Sequence, residues 1–325
     1  MNDEYMILAL QKDKPTAQTI ADKLDIPIGD ITVKFAMGTE TSVDVESYVN
    51  NKIIFLIYNM TQPANESLMQ LMFICDAIKK EGAHYIYLIT SYLPYTKIRT
   101  DVEYKLNFSL ITRFFEEVSI DKIYTFGLYN PKITYYTKIP LYNIPVSTIF
   151  GKVLDDNFTN NKNLIVTCID HEMQDSARDV AKKINAKTIF PVKEFSNNKP
   201  EFEIYEEVNG KEILIVSDSI NTGENIVNYS NYLTFKGARN ISVLCTHGIM
   251  RKEAISLIEK SIIKQIYTIT HIFPKSDKVK LIPITKIVEE IIKRTIENKN
   301  IKPILKWFKY VSMVYYICKL ILIKL

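Results

Sequence analysis

The stretch that most narrows the fold of this chain is Lys211 to Asn225, KEILIVSDSINTGEN. Its apolar run, Ile213 to Val216, has the length and β-branched character of a buried strand. Ser217-Asp218 follow, and Asn221-Thr222-Gly223 make a tight turn into a helix expected from about Ile226 to Phe235. A strand that feeds straight into a helix is the repeating unit of a parallel sheet, because parallel neighbours need a crossover. In such a sheet ligands bind at the strand's carboxyl end, where carboxylates gather and the helix start offers free N–H groups.

The same alternation runs through the chain. Tyr5 to Leu10 reads as a strand, and Pro15 opens a helix over Thr16 to Leu24. Ile31 to Phe35 and Thr41 to Val45 read as a hairpin about Gly38, and Ile53 to Tyr58 as a buried strand. Asn65 to Lys80 is a predicted helix, capped by Asn65, ended by Gly82, with apolar positions 68, 69, 72, 73 and 77 on its buried face. Strand Tyr85 to Thr90, helix Ser109 to Glu117 and strand Lys122 to Leu128 complete a first half. The second half repeats the order: strand Leu164 to Cys168 ending at Asp170, helix Gln174 to Ile184, strand Thr188 to Pro191, and a polar, mobile connection over Ser196 to Asn209. After the opening stretch come strand Ile241 to Cys245, helix Lys252 to Glu259, and a last helix from Thr285 to about Glu297. The fold class expected is therefore α/β, two mostly parallel sheets flanked by helices, divided into residues 1–148, residues 149–300 and a tail, 301–325.

Composition sets the remaining bounds. A net charge of +4 spread over 325 residues argues against nucleic acid as a partner. Four cysteines lie far apart (Cys75, Cys168, Cys245, Cys318), three of them inside apolar runs, which predicts buried reduced thiols, a reducing cytoplasmic setting and no structural zinc. The acidic start MNDEYMILAL does not read as a signal peptide. The end, KPILKWFKYVSMVYYICKLILIKL, is apolar and basic, but its longest charge-free run, Tyr310 to Cys318, falls short of the ~20 residues that span a bilayer. A helix packed on protein is expected there, with contact at a membrane surface as the alternative.

Three motifs, in order and at consistent spacing, resemble the ribose-phosphate pyrophosphokinase (PRPP synthetase) family over roughly residues 5 to 300. NESLMQLMFICDAIKKEGAHYIYLITSYLPY (Asn65 to Tyr95) is similar to the family's N-D-x-L-M-E-L-L helix, strand and P-Y-x-P-Y turn. LIVSDSINTGENI stands where the family has V-D-D-x-x-D-T-G-G-T, and LCTHGI (Leu244 to Ile249) matches its THG strand end. The resemblance implies two phosphoribosyltransferase-type domains with a site between them, a dimer-based hexamer, and transfer of pyrophosphate from Mg-ATP to ribose 5-phosphate. Mg2+ and ATP are thus the cofactor and nucleotide it implies. It assigns Asp218, Asn221, Thr222 and Gly223 to the ribose-phosphate loop, Lys97 and Arg99 to the nucleotide side, Asp170 to the pyrophosphate loop, and Lys193 to a vestigial catalytic position; it assigns no metal ligand.

Departures from the family pattern fall where polyanions must be held. In the ribose-phosphate loop Ser217 and Asn221 replace acids, Glu224 replaces the second glycine and Asn225 the closing threonine. A carboxylate about 6 Å from a phosphate charge costs roughly 3 kcal/mol at an effective dielectric near 20, an upper bound if Glu224 turns to solvent. On the nucleotide side Y-x-R-Q-D becomes Tyr95-Thr96-Lys97-Ile98-Arg99, so a planar bidentate cation is lost and an acid becomes a base. The flag segment becomes Phe35-Ala36-Met37-Gly38-Thr39-Glu40, without an acid or amide at Met37. D-L-H becomes Gly127-Leu128-Tyr129, replacing a metal-site histidine with a phenol. D-x-G-G becomes Asp170-His171-Glu172-Met173, and K-x-R becomes Lys193-Glu194-Phe195. Removing one preorganised electrostatic donor typically costs about 10²–10³ in rate. So many changes together predict a catalytically impaired homologue that acts by association, as a homo-oligomer or with an active synthetase. An active diphosphokinase with a divergent site is the alternative. His247 is expected to be structural, and His84 and His271 to be core or surface residues.

Overall fold

The computed structural model describes residues 3–36, 40–60, 63–96, 102–159, 161–196, 199–269 and 276–305. Its first half contains β1 (Tyr5–Ala9), α1 (Lys14–Leu24), β2 (Ile28–Gly29), β3 (Ile31–Ala36), β4 (Glu40–Val45), β5 (Ile53–Ile57), α2 (Ala64–Lys80), β6 (Tyr85–Thr90), α3 (Val102–Glu117), β7 (Lys122–Phe126) and β8 (Leu141–Ile144). Two short helices, α4 (Val146–Ile149) and α5 (Gly151–Asn157), lead into the second half. There follow β9 (Leu164–Cys168), α6 (Gln174–Ile184), β10 (Lys187–Thr188), β11 (Val192–Ser196), β12 (Lys199–Glu203), β13 (Glu212–Ile220), α7 (Glu224–Phe235), β14 (Asn240–Gly248), α8 (Lys252–Lys260), β15 (Gln265–Thr268), β16 (Val279–Leu281) and α9 (Thr285–Ile296).

The strands form two six-stranded sheets, β2-β1-β5-β6-β7-β8 and β10-β9-β13-β14-β15-β16, and every ladder in them is parallel. Two antiparallel hairpins, β3-β4 and β11-β12, stand apart from the sheets. This is the α/β class expected from the alternation. The boundary drawn at residue 148 falls inside α4.

Alternation along each strand sorts the apolar side chains into three layers. Leu8, Leu56 and Leu88 face α2 and α3 on the outer side of the first sheet. Ile213, Val243 and Cys245 face α7 and α8 on the outer side of the second. Between the sheets lies one continuous core. Ile7, Phe55 and Phe126 come to it from the first, and Val166, Val216 and Leu244 from the second. The helices α1, α6 and α9 fill the space between them through Ile20, Val180 and Ile291, all fully buried. Polar contacts reinforce that layer: Lys23 Nζ meets Glu289 Oε2 at 3.0 Å, and the Tyr124 and Thr295 hydroxyls lie 3.3 Å apart. Burial pushes the Tyr124 phenol up to about 12.

Several elements differ from expectation. α2 begins at Ala64 with Pro63 at its N-cap, so Asn65 lies in the first turn, where its side chain accepts a hydrogen bond from the Tyr95 hydroxyl. Its buried face is Ser67, Leu68, Leu71, Ile74, Cys75 and Ile78, while Met69 and Phe73 are exposed. Apolar residues cover two faces of this helix, so spacing alone does not select the one that meets the sheet. Gly82 does follow its end, at φ +86°. The polar connection expected over Ser196 to Asn209 instead begins within the β11-β12 hairpin, Val192 pairing with Glu203. β13 continues past Val216 to Ile220, and α7 starts at Glu224. Gly38 and the tail from Lys306 onward lie outside the described residues. Among the described residues no helix is long and apolar enough to cross a membrane.

A core shared by both sheets makes their stabilities inseparable. Ile291→Ala, which empties a fully buried site in the middle layer, is expected to cost about 2–5 kcal/mol. It should also raise amide exchange in β5 and β13 together. Exchange rising in one sheet only would show two independent cores.

Candidate functional site

The carboxyl ends of β6 and β7 in the first sheet face those of β9, β13 and β14 in the second, and the residues beyond them meet between the sheets. β7 leads through Gly127 and Leu128 to Tyr129. Gly127 has φ +57°, and a Cβ there would come within 2.6 Å of Thr246 Cγ2 on β14. Only glycine fits this turn, because a side chain would meet both the strained backbone and the opposite sheet. The turn is held by Gly127 N–H donating to Ile144 O at 2.8 Å and Leu128 N–H donating to Asn143 Oδ1 at 2.9 Å.

Tyr129 is thereby aimed at the loop after β9. Its hydroxyl donates to Glu172 Oε2 at 3.0 Å, a bond that crosses from the first sheet's loops to the second's. Desolvation raises the phenol's pKa, and the charges of Asp170, Glu172 and Asp218 push it further the same way. The group is therefore a proton donor throughout the neutral range and not an anionic metal ligand. Asp170 is the N-cap of the 3-10 turn His171–Met173. With Cys168, Glu172, Gln174 and Pro191 it lines a cavity of about 360 Å³. The Cys168 thiol donates to Asp170 O at 3.4 Å and is pushed up to about 12, chiefly by burial.

On the neighbouring strands, Asp218 is buried within β13, whose ladder with β14 runs on to Ser219 opposite His247. His247 is buried too, its ring 5.0 Å from that of Tyr92 in an edge-on contact between the sheets. The charge of Asp218 also raises the Tyr92 pKa, after desolvation. Beyond Ile220, Asn221 and Thr222 are exposed, whereas Gly223 is buried at φ +81° against Ala254. Glu224 opens α7 and is exposed. An acid in the first turn of a helix is favoured by its dipole, so Glu224 occupies the anion position of this turn while facing solvent.

The structure thus brings Asp170 and Asp218 to one region with Tyr129, Glu172, Tyr92 and His247. Asn221, Thr222 and Gly223 form the turn at the end of β13. Lys193 lies on β11 with its backbone opposite Phe202. Lys97, Arg99, Met37 and His271 lie outside the described residues. His84 is exposed and its ring packs on Tyr85 at 4.1 Å. Sequence reasoning treated Tyr129 and Glu172 as separate losses and missed that they are partners. The available signal was topological: both follow strands at the carboxyl edge, one in each sheet.

Two measurements probe this arrangement. A double-mutant cycle of Tyr129→Phe and Glu172→Gln should give a coupling of about 1.5–3 kcal/mol, the range for a hydrogen bond to a charged group; additive effects would mean that the two side chains are not joined in solution. The second concerns Cys168. With its folded pKa raised, this thiol stays protonated at pH 8 and should resist alkylation until the protein unfolds. The unfolded thiol ionises first, near about 8.5, so the stability it supports is complete below that pH. That stability falls as the pH climbs toward 12. Rapid alkylation of folded protein at pH 8 would contradict this.

Comparison with known proteins agrees over both halves. Residues 5–113 match the family model for the N-terminal domain of ribose phosphate pyrophosphokinase, and residues 158–306 that for the phosphoribosyl synthetase-associated domain. The ribose-phosphate pyrophosphokinase of Clostridium acetobutylicum is 29% identical over 304 residues, covering 89% of this chain and 93% of its own. That of Campylobacter jejuni is 25% identical over 307 residues, covering 91% and 97%. Among solved structures, phosphoribosylpyrophosphate synthetase from Mycobacterium smegmatis shares the fold, with a TM-score of 0.80 at 21% identity over 91% of this chain and all of that one.

Proposed function

This chain belongs to the ribose-phosphate pyrophosphokinase family, and we propose that it is a strongly impaired or non-catalytic member that acts by associating with copies of itself or with an active synthetase. One observation carries the reading: the Tyr129–Glu172 bond across the site. Both partners stand where the resemblance places groups that would serve a metal-bound polyphosphate. Tyr129 replaces a histidine able to ligate a metal, and Glu172 replaces a glycine whose backbone could approach phosphate. The replacements satisfy each other, and together they fill the junction with a phenol and a carboxylate.

The described donor set does not fit Mg-ATP. The phenol stays protonated, so it is a poor ligand for a hard cation, which prefers carboxylate and water oxygens. Glu172 is already engaged by Tyr129, and no group of three acid, histidine or cysteine side chains among the described residues is arranged to hold a metal. Asp170, Glu172 and Asp218 also place three negative charges close enough to act on one tyrosine. A polyanion approaching them meets repulsion of roughly 3 kcal/mol per close charge pair at an effective dielectric near 20. The scaffold, by contrast, keeps its buried layers intact. That supports a chain maintained for its shape.

The test is direct. Purified full-length protein with radiolabelled ATP, ribose 5-phosphate and Mg2+ should form AMP and the diphosphorylated sugar at least about 10³-fold more slowly than an active relative, as loss of preorganised electrostatic groups dictates. Turnover near about one per second, an ordinary enzyme rate, would overturn the reading. Co-expression with an active synthetase should yield a mixed oligomer by size-exclusion chromatography with light scattering. A monomer in both cases would remove the associative role.

A further inference from the structure

A cavity of about 910 Å³ opens where the first sheet ends, on β7 and its last strand, β8. It lies toward the start of β7, whereas the Tyr129–Glu172 junction follows that strand's end. Tyr124 and Tyr142 line it with their rings stacked, centroids 5.2 Å apart and planes 18° from parallel. Leu141 and Tyr142 are only partly buried there. A further wall is the chain that follows α9, including Ile301 and Leu305.

That wall is firmly held. Arg294 Nη1 donates to Asn300 O at 3.1 Å, Lys302 N–H to Asn300 Oδ1 at 2.8 Å, and the Thr148 hydroxyl to Ile304 O at 3.3 Å. Leu305 is buried and is the last described residue. Residues 306–325 therefore start from a fixed point on the cavity's wall. The match to the second family model also stops at residue 306, so the tail lies beyond the fold that model describes. The tail opens Lys306-Trp307-Phe308-Lys309, which places two large aromatic side chains within three residues of Leu305. Two residues of extended chain span about 7 Å, enough for Trp307 to turn back onto the cavity.

Two considerations select this occupant. A segment tethered beside its site meets it at an effective concentration in the millimolar range, which favours it over a second copy. Lysines also mark the rim: Lys302, Lys299, paired with Glu297 at 2.9 Å, and Lys122, whose ammonium lies 4.2 Å from the centre of the Tyr87 ring. Such a rim suits an uncharged aromatic group, tryptophan above all, because its π face attracts ammonium groups. Lys306 and Lys309 can carry their own charges out to solvent on long stems.

We propose that this cavity is the docking site of the chain's own tail, with the Trp307 indole seated against the Tyr124–Tyr142 stack. The docked tail covers the apolar floor beside β8 and is thereby withheld from a membrane surface and from neighbouring copies.

Trp307 is the chain's one tryptophan, so its fluorescence reports the tail alone. In dilute full-length protein without lipid, its emission should be blue-shifted and shielded from acrylamide. Nuclear Overhauser contacts should join the indole to the rings of Tyr124 and Tyr142. Tyr142→Ser should move the ratio of docked to free tail at least about tenfold toward free, the effect of losing roughly 1.4 kcal/mol. Freely quenched Trp307 in the wild-type protein would overturn the proposal, as would a shielded Trp307 that ignores Tyr142→Ser. Contacts that run between copies in a mixture of differently labelled protein would assign the tail to a neighbour's cavity, and a blue shift seen only with anionic vesicles would assign it to lipid; either would overturn it too. The wild-type contacts decide the matter even if Tyr142→Ser fails to fold.

Discussion

The interaction on which the rest depends is the apolar layer held in common by two parallel sheets. Neither sheet can bury its inner face alone, because Phe55 and Phe126 on one side and Val216 and Leu244 on the other belong to a single core. α9 carries the arrangement furthest. It follows the last strand of the second sheet, yet it meets α1 of the first through the Lys23–Glu289 pair and the first sheet itself through Tyr124 and Thr295. Both rows of strand ends are thereby fixed relative to each other. A bond such as Tyr129 to Glu172, 43 residues apart in the chain, needs that fixed frame.

How much of this was legible in the sequence follows from the range of the forces involved. Strands and helices are short-range facts, and the runs Ile53 to Ile57 and Leu164 to Cys168 announce themselves because strands covered on both faces must be apolar throughout. The facing of α2 was not legible, since Met69 and Phe73 are as apolar as Leu71 and Ile74. The extra length of β13 was hidden for a related reason. Ser217 and Asp218 look like the end of a strand, but pairing with β14 carries the backbone on to Ile220 whatever the side chains prefer. The β11-β12 hairpin was lost in a polar stretch because its register is set by backbone pairing.

Site residues divide in the same way. The positions of Asp170, Asp218 and the Asn221–Gly223 turn at strand ends were legible because strand ends and Gly-containing turns leave local marks. The partnership of Tyr129 with Glu172 and the packing of Tyr92 on His247 were not found, since each joins segments that only the folded sheets bring together. Residue-by-residue comparison sees Tyr129 as one loss and Glu172 as another. In space they are a single replacement of one kind of contact by another.

That distinction bears on why such a junction is stable at all. Carboxylates at the carboxyl ends of parallel strands repel one another and ordinarily call for a cation. Tyr129 offers another solution, a neutral donor that stays protonated because burial, and after it the surrounding acids, raise its pKa. The more negative the surroundings become, the more firmly the phenol keeps its proton and the better it serves Glu172 as a donor. The two effects act in the same direction. Tyr129 and Glu172 thus join the loops of the two sheets through side chains of the chain itself.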